Sequence, residues 1–280
     1  MKKKVSIIGA EGYLGRHITQ VFKNLDFELD LYNRSNFETF KTDVDFIFHL
    51  AGKTGTLDGF DNFREYIESN EMSLLTILEK VRKSTHRPKI IFPSSRLVYR
   101  GQKNTPLVED ATKEAKTIYA ANKLACESYL KMYKDTFEIN YSIARICVPY
   151  GNEFDDQYSY GTIGSLLTQA SQMGEITLFG DGNQQRSLIH ISDLANNLVK
   201  AAVNPKTDDL IFNLGGPESF SIKELAELIA QKYHAEVKST PWPKEHLKIE
   251  SGDTIFDSSL IESLISIDYQ FSFQDWLKHI

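Results

Sequence analysis

A chain of 280 residues is long enough for one large α/β domain carrying a smaller lobe. Its 41% hydrophobic and 25% charged residues are the proportions of an ordinary globular protein, which excludes the disordered, collagenous and membrane classes. A formal net charge of −6, with no basic face evident, excludes nucleic acid as a partner. The basic start, Lys2 to Lys4, precedes only the short apolar stretch Val5 to Ile8. That stretch is too brief for a secretory signal core or a membrane span, so no membrane partner and a cytoplasmic location are expected.

In chain order the pattern predicts a strand over Lys4 to Ile8, a glycine turn over Gly9 to Gly15, a helix over Tyr13 to Asn24 and a strand over Phe27 to Tyr32. This is a βαβ unit. Short apolar runs at Phe46 to Leu50, Lys89 to Phe92 and Tyr141 to Ile146 read as strands buried on both faces of a parallel sheet. Between them, Arg64 to Arg82 and Ile118 to Tyr133 carry apolar residues at helical spacing. Cys126 and Cys147 show no metal-ligand or CxxC spacing and are expected as buried thiols, with no metal site. After about Pro149 the rhythm breaks into glycine-rich turns, and Ser221 with Glu224 forms a capping box opening a helix to about Tyr233. The expected architecture is α/β, a doubly wound parallel sheet of the Rossmann type with a smaller C-terminal α/β lobe. Residues 1–150 would bind a dinucleotide, residues 151–280 mainly the substrate, and 187–202 would return to the first domain.

Gly9, Gly12 and Gly15 stand at GxxGxxG spacing between the first strand and the first helix. Glycine there permits a tight turn, close backbone approach to a pyrophosphate and close helix–strand packing, with the helix N-terminus facing the anion. A glycine turn with no ligand is the alternative, and the flanking strand and amphipathic helix favour binding. The residue ending the second strand distinguishes NAD from NADP. Here it is Asn33, followed by Arg34, so no acid at that position repels a 2′-phosphate and an arginine could pair with it. NADP(H) is the expected cofactor and NAD(H) the alternative, Arg34 being otherwise a solvated surface charge.

Tyr119 and Lys123 lie four apart in a helical segment, which places phenol and ammonium on one face. A nearby cation lowers a phenol's pKa and lets it relay protons near neutrality. The spacing alone also fits a half-buried tyrosine beside a surface lysine. Ser94 and Ser95 follow the run Lys89 to Phe92, at the carboxyl end where a doubly wound sheet places its ligand crevice.

With these residues in place the chain resembles an extended short-chain dehydrogenase/reductase of the NAD-dependent epimerase/dehydratase family, the nucleotide-sugar enzymes. The resemblance runs through GAEGYLG (9–15), FHLAG (48–52), PSSRLVYRG (93–101), YAANK (119–123), RICVPYG (145–151), GDGNQQRSLIHISDLA (180–195) and FNLGGPESFSIKELA (212–226). It implies Ser95 as hydrogen-bond partner of the reacting oxygen and Tyr119 as proton donor or acceptor. Lys123 is implied as the residue that holds the ribose and depresses the tyrosine pKa. It places Tyr13, Leu14, Leu50, Ala51, Gly52, Asn70 and Pro149 around the cofactor with the residues above, although Asn70 could equally be a helix-surface amide. Arg186 matches an arginine that clamps the nucleotide-sugar pyrophosphate, a rim salt bridge being the alternative. His190 and Asp193 read as structural residues at a helix start. Dimerisation through the helices holding Asn70 and Tyr119, giving a homodimer, is also implied.

Departures from the family pattern narrow the reaction. Dehydratases carry acids just after the catalytic hydroxyl, and 3,5-epimerising reductases carry a cysteine at the second of those positions; here stand Arg96 and Leu97. Val148 replaces an asparagine that helps hold substrate, and the stretch from Asn33 to Phe46 is too short for a full third strand and helix, so the adenine pocket should be trimmed. The segment Asn152 to Tyr160, with Tyr158 and Tyr160, is a candidate pocket wall. What remains is hydride transfer with a tyrosine proton relay. The expected activity is NAD(P)H-dependent reduction of a nucleotide-linked 4-keto-6-deoxyhexose. A 4-epimerase with retained NAD is the close rival, and a dinucleotide-sensing regulator without chemistry is the rival of another class.

Overall fold

The computed structural model describes residues 2–154 and 160–280. Tyr158 therefore lies outside the described residues. Strands β1 (Lys3–Ile8), β2 (Phe27–Tyr32), β3 (Phe46–His49), β4 (Lys89–Ser95), β5 (Tyr141–Ile146) and β9 (Leu210–Leu214) form one six-stranded sheet in the order β2-β1-β3-β4-β5-β9. Every pairing in it is parallel. The chain runs outward from β1 to β2 and then crosses back to β3, so the point where the strand order reverses lies beside the carboxyl ends of β1 and β3, where ligands bind in such sheets. This is the doubly wound Rossmann sheet expected from the sequence.

Strand alternation assigns the two faces. Val5, Ile7, Phe46 and Phe48 point to one side, against Ile18 and Phe22 of α1 (Tyr13–Lys23) and Leu194 and Leu198 of α7 (Ile191–Val203). Ile8, Ile47, Ile90 and Phe92 point to the other, against Leu74 and Leu78 of α4 (Ser73–Lys83) and Cys126 and Leu130 of α5 (Ile118–Phe137). Each such side chain taken from water contributes about 1.5–3 kcal/mol, which holds the helices on the sheet. The helical run expected over residues 64–82 is interrupted. α2 (Asp58–Asp61) and α3 (Phe63–Tyr66) lead into a π-helical turn, Ile67–Met72, before α4 begins. Between β2 and β3 stands only a turn of 3-10 helix, Phe37–Thr39, in keeping with the short connection.

The remaining chain builds the second lobe. β6 (Val148–Tyr150), β8 (Gln185–His190) and β10 (Glu218–Ser221) form a three-stranded sheet, and β7 (Glu175–Phe179) pairs with β11 (Glu236–Thr240). α6 (Gly161–Thr168) and α8 (Ile222–Tyr233) close a separate core containing Leu166, Leu188, Leu225, Phe273 and Trp276. The capping box is formed at α8, where Ser221 Oγ accepts from Glu224 N and the Glu224 carboxylate accepts from Ser221 N. Among the described residues no helix is long and apolar enough to cross a membrane.

Candidate active site

The glycine turn is shaped by contacts that admit no side chain. Gly9 has φ +91°, and a Cβ on it would stand 2.5 Å from Ala51 N. A Cβ on Gly15 would stand 2.0 Å from Gly9 O, so the first turn of α1 packs directly on the loop. The first backbone N–H groups of α1, Leu14 among them, have no carbonyl partner within the helix, and the loop residues Gly9, Glu11 and Gly12 that lead into it line a cavity. The Leu14 side chain itself packs on the core. A cavity of about 890 Å³ runs from Gly9 and Gly12 past Leu50, Ala51 and Gly52 to Asn33 and Arg34. Asn70, projected by the π-helical turn, is 2% exposed; its Nδ2 donates to Lys53 O at 3.0 Å. Its Oδ1 is buried with no partner and approaches Gly52 so closely that a Cβ there would be 2.4 Å away. An orphaned buried acceptor, a side-chain-free cradle and a helix N-terminus on one crevice fit a dinucleotide.

At the distal end the fold supplies an acid that chain order concealed. Asn33 Nδ2 donates to Glu11 Oε1 at 2.7 Å, and Asn33 Oδ1 accepts from Ser35 N at 2.9 Å. Glu11 and Arg34 both line the cavity, and Arg34 is exposed with no ion pair among the described residues. The expectation of NADP(H) rested on the absence of an acid; Glu11 puts one at that end of the cleft, brought from the glycine loop instead of from the end of β2.

A second cavity, of about 690 Å³, has Ser95, Arg96, Tyr119, Pro149 and Tyr160 on its wall. Ser94 and Ser95 belong to β4 itself and point to opposite faces. Ser94 Oγ donates to Glu127 Oε1 at 2.6 Å, while Ser95 Oγ accepts from Leu97 N at 3.2 Å and shares the cavity wall with the Tyr119 phenol. Thr117 caps α5, accepting from Ala120 N at 3.1 Å, and so fixes the turn that carries Tyr119. Behind the site Glu127 receives Arg145 through Nε at 3.0 Å and Nη2 at 2.7 Å, and Arg145 Nη1 donates to Tyr99 OH at 2.8 Å. Sequence reasoning missed this network because its members are ordinary polar residues on different elements.

Lys123 is 7% exposed, and its ammonium turns to Pro93 O at 2.8 Å and the Phe92 ring at 4.3 Å. Burial brings its pKa down to about 8. Burial pushes the Tyr119 phenol up, with the Tyr160 phenol adding to this; the Ser95 hydroxyl and the Arg96 charge act in the opposite sense. Lys123 Nζ also lies over the Tyr119 ring, 5.7 Å from its centre, and another cation acts on the phenol with it. Arg96 is that cation. His49, stacked on Phe92 and bonded through Nε2 to Ser73 Oγ at 2.9 Å, is held to about 3 by burial and stays neutral.

The other expected residues fall as follows. Tyr13 OH donates to Gly151 O at 2.7 Å and its ring stacks on Tyr160 at 4.3 Å, joining α1 to the second lobe. Arg186 is 3% exposed and is bound to Glu250 at 2.5 Å, Gly252 O at 2.6 Å and Gln185 O at 2.8 Å; it stands behind Arg96, off the cavity wall. His190 caps α7, and Asp193 accepts from Gln270 N and Phe271 N, both structural tasks. Cys126 and Cys147 are buried and free. Among the described residues no group of three His, Cys, Asp or Glu could hold a metal.

Residues 5–215 match the NAD-dependent epimerase/dehydratase family. The chain belongs to that family. Among its relatives is a protein of Bacillus subtilis described as an uncharacterized UDP-glucose epimerase, 28% identical over 84% of this chain and 73% of its own length. The UDP-glucuronate 4-epimerase of Thermodesulfobacterium geofontis is 25% identical over 93% of this chain and 80% of its own. Of solved structures, Pal from Bacillus thuringiensis superposes with a TM-score of 0.88 at 19% identity, covering 98% of this chain and 96% of that one. At that identity the last likeness speaks for the fold. The matched stretch runs from within β1 to just past β9 and spans the glycine turn, Ser95, Tyr119 and Lys123.

Proposed function

We propose that this protein transfers hydride between a nicotinamide dinucleotide and C4 of a UDP-linked hexose, and that its net reaction is reduction of the 4-ketone. The observation that carries the reading is the convergence of Ser95 and Tyr119 on one cavity wall, with Arg96 and Leu97 where elimination would need acids. The bound cofactor supplies the hydride. Tyr119 gives its proton to the oxygen that becomes a hydroxyl, Ser95 hydrogen-bonds that oxygen, and Lys123, one helical turn on, holds the ribose side. NAD(H) is the cofactor this reading favours, because Glu11 places negative charge where a 2′-phosphate would lie. The 4-keto-6-deoxyhexose remains the sugar expected from the resemblance, and Arg186 the residue expected at the diphosphate. A reductase must release its cofactor at each turnover, which suits an adenosine side covered by a single 3-10 turn between β2 and β3.

The 4-epimerase reading uses the same residues with no net redox change, and the names of the two relatives favour it. Incubating the purified protein with NADH and a panel of UDP-linked 4-keto hexoses separates the two. Oxidation of NADH supports the reductase; interconversion of 4-epimers by protein that emerges with NAD bound supports the epimerase. Tyr119→Phe should lower either rate by about 10²–10⁴. A biological activity indifferent to that change would point to a dinucleotide sensor.

A further inference from the structure

Arg96 follows Ser95 directly and lies on the same cavity wall as Ser95 and Tyr119. A guanidinium carries five N–H donors and stays charged. Among the described residues this one makes two long bonds, both from Nη1 and both to neutral hydroxyls, Ser251 Oγ at 3.2 Å and Thr254 Oγ1 at 3.4 Å. Nε and Nη2 make none. The nearby carboxylate, Glu250, is spent on the neighbouring Arg186 at 2.5 Å. Two guanidinium groups therefore share one carboxylate at the edge of the site. Burial and the Arg186 charge bring the pKa of Arg96 down to about 9. Arg96 is half-buried, and a charge on a cavity wall with no carboxylate of its own can take its counter-charge from whatever enters the cavity.

Resting on the reading of the site as one for a UDP-linked hexose, we propose that Arg96 binds a carboxylate carried by the sugar, so that the substrate class is a nucleotide-linked sugar acid. The carboxylate takes the place of the 6-deoxy group expected from the resemblance. Arg96 flanks the residue that contacts the reacting oxygen, and its charge acts on the Tyr119 phenol. It therefore faces a substituent close to the reacting carbon, whereas the diphosphate hangs from the opposite end of the ring. The planar fork suits two-point binding of a carboxylate. Leu97 beside it offers no proton, so the carboxylate is held as the anion.

The test is calorimetric titration of the NAD-loaded protein with UDP, UDP-glucose and UDP-glucuronate. The wild type should bind UDP-glucuronate about tenfold to a hundredfold more tightly than UDP-glucose, the range of a charge-assisted hydrogen bond. Arg96→Met should erase that preference while leaving UDP affinity within about twofold, and Arg96→Lys should retain part of it. Unaltered UDP binding also reports that the variant is folded. Equal affinity of the wild type for the two sugars overturns the assignment of Arg96 and leaves the UDP-hexose reading standing. An equal weakening of UDP itself in Arg96→Met assigns the guanidinium to the diphosphate and overturns the proposal too. If neither UDP nor either sugar binds the wild type, the UDP-hexose reading falls and takes this one with it.

Discussion

Lys123 has its ammonium inside the protein, bonded to one backbone carbonyl and lying over an aromatic ring. Burial lowers its pKa from the ordinary 10.5 to about 8. The sign of the resulting pH dependence is fixed. Below pH 8 folded and unfolded chains both carry the proton, and folding bears the full cost of burying the charge. Between pH 8 and 10.5 the folded chain releases it while the unfolded chain keeps it, so stability rises with pH. Denaturant unfolding should therefore show the wild type gaining ~3 kcal/mol relative to Lys123→Met across that window. A stability difference that stays flat from pH 7 to 10.5 would show that the ammonium is better solvated than its surroundings indicate. The buried thiols of Cys126 and Cys147, each raised to about 12 by burial, should remain unreactive at neutral pH.

Among the elements, the glycine loop is proposed to set cofactor choice as well as cofactor approach. Glu11 sits in the loop between β1 and α1 and reaches the residue that ends β2, a join possible because these strands are neighbours in the sheet. Glu11→Gln keeps an acceptor for Asn33 and removes the charge. It should raise the ratio of NADPH to NADH affinity by about tenfold at low salt, with exposed Arg34 available to the phosphate. A ratio unmoved in fluorescence titrations would dissociate Glu11 from cofactor choice. The elements β4, α5 and β5 are tied by Glu127 and Arg145, whose side chains are 5% and 4% exposed. Glu127→Gln leaves a buried guanidinium without its counter-charge and should cost about 3–5 kcal/mol in denaturant unfolding. Replacing both members by apolar residues should recover much of that loss.

On the scale of the whole molecule, the two lobes meet over the candidate site: Tyr13 at the start of α1 bonds to Gly151 and stacks on Tyr160, both in the second lobe. The helical run carrying Asn70 also exposes Phe60, Phe63 and Ile67, and α5 exposes Met132 and Phe137. Large apolar side chains grouped on two neighbouring helices suit a contact between copies of the chain, and the homodimer implied by the resemblance is proposed on this surface. Sedimentation at micromolar concentration should give twice the 31.9 kDa chain mass. A species of single-chain mass would rule the dimer out under those conditions, and Ile67→Glu should weaken the dimer where it forms.

The strand β5 runs from Tyr141 to Ile146, the bounds its apolar pattern predicts, because burial on both faces of a parallel sheet leaves that pattern nothing else to satisfy, and the edge strand β2 also keeps its expected bounds, Phe27 to Tyr32, with one buried residue. The glycine turn was equally legible, its spacing being set by local backbone sterics, and so was the common face of Tyr119 and Lys123 on α5, which helical spacing dictates. What only the folded molecule decided are the partners of charges. Glu11 meets Asn33 across 22 positions, Arg186 meets Glu250 across 64, and Lys123 Nζ meets the Pro93 carbonyl of β4 across 30. The π-helical turn that buries Asn70 was likewise invisible to a periodicity that reads the run as one helix. Periodicity records which side of an element meets the core, but the field at a reacting group is the sum of charges that tertiary packing brings near, and no local pattern carries that sum.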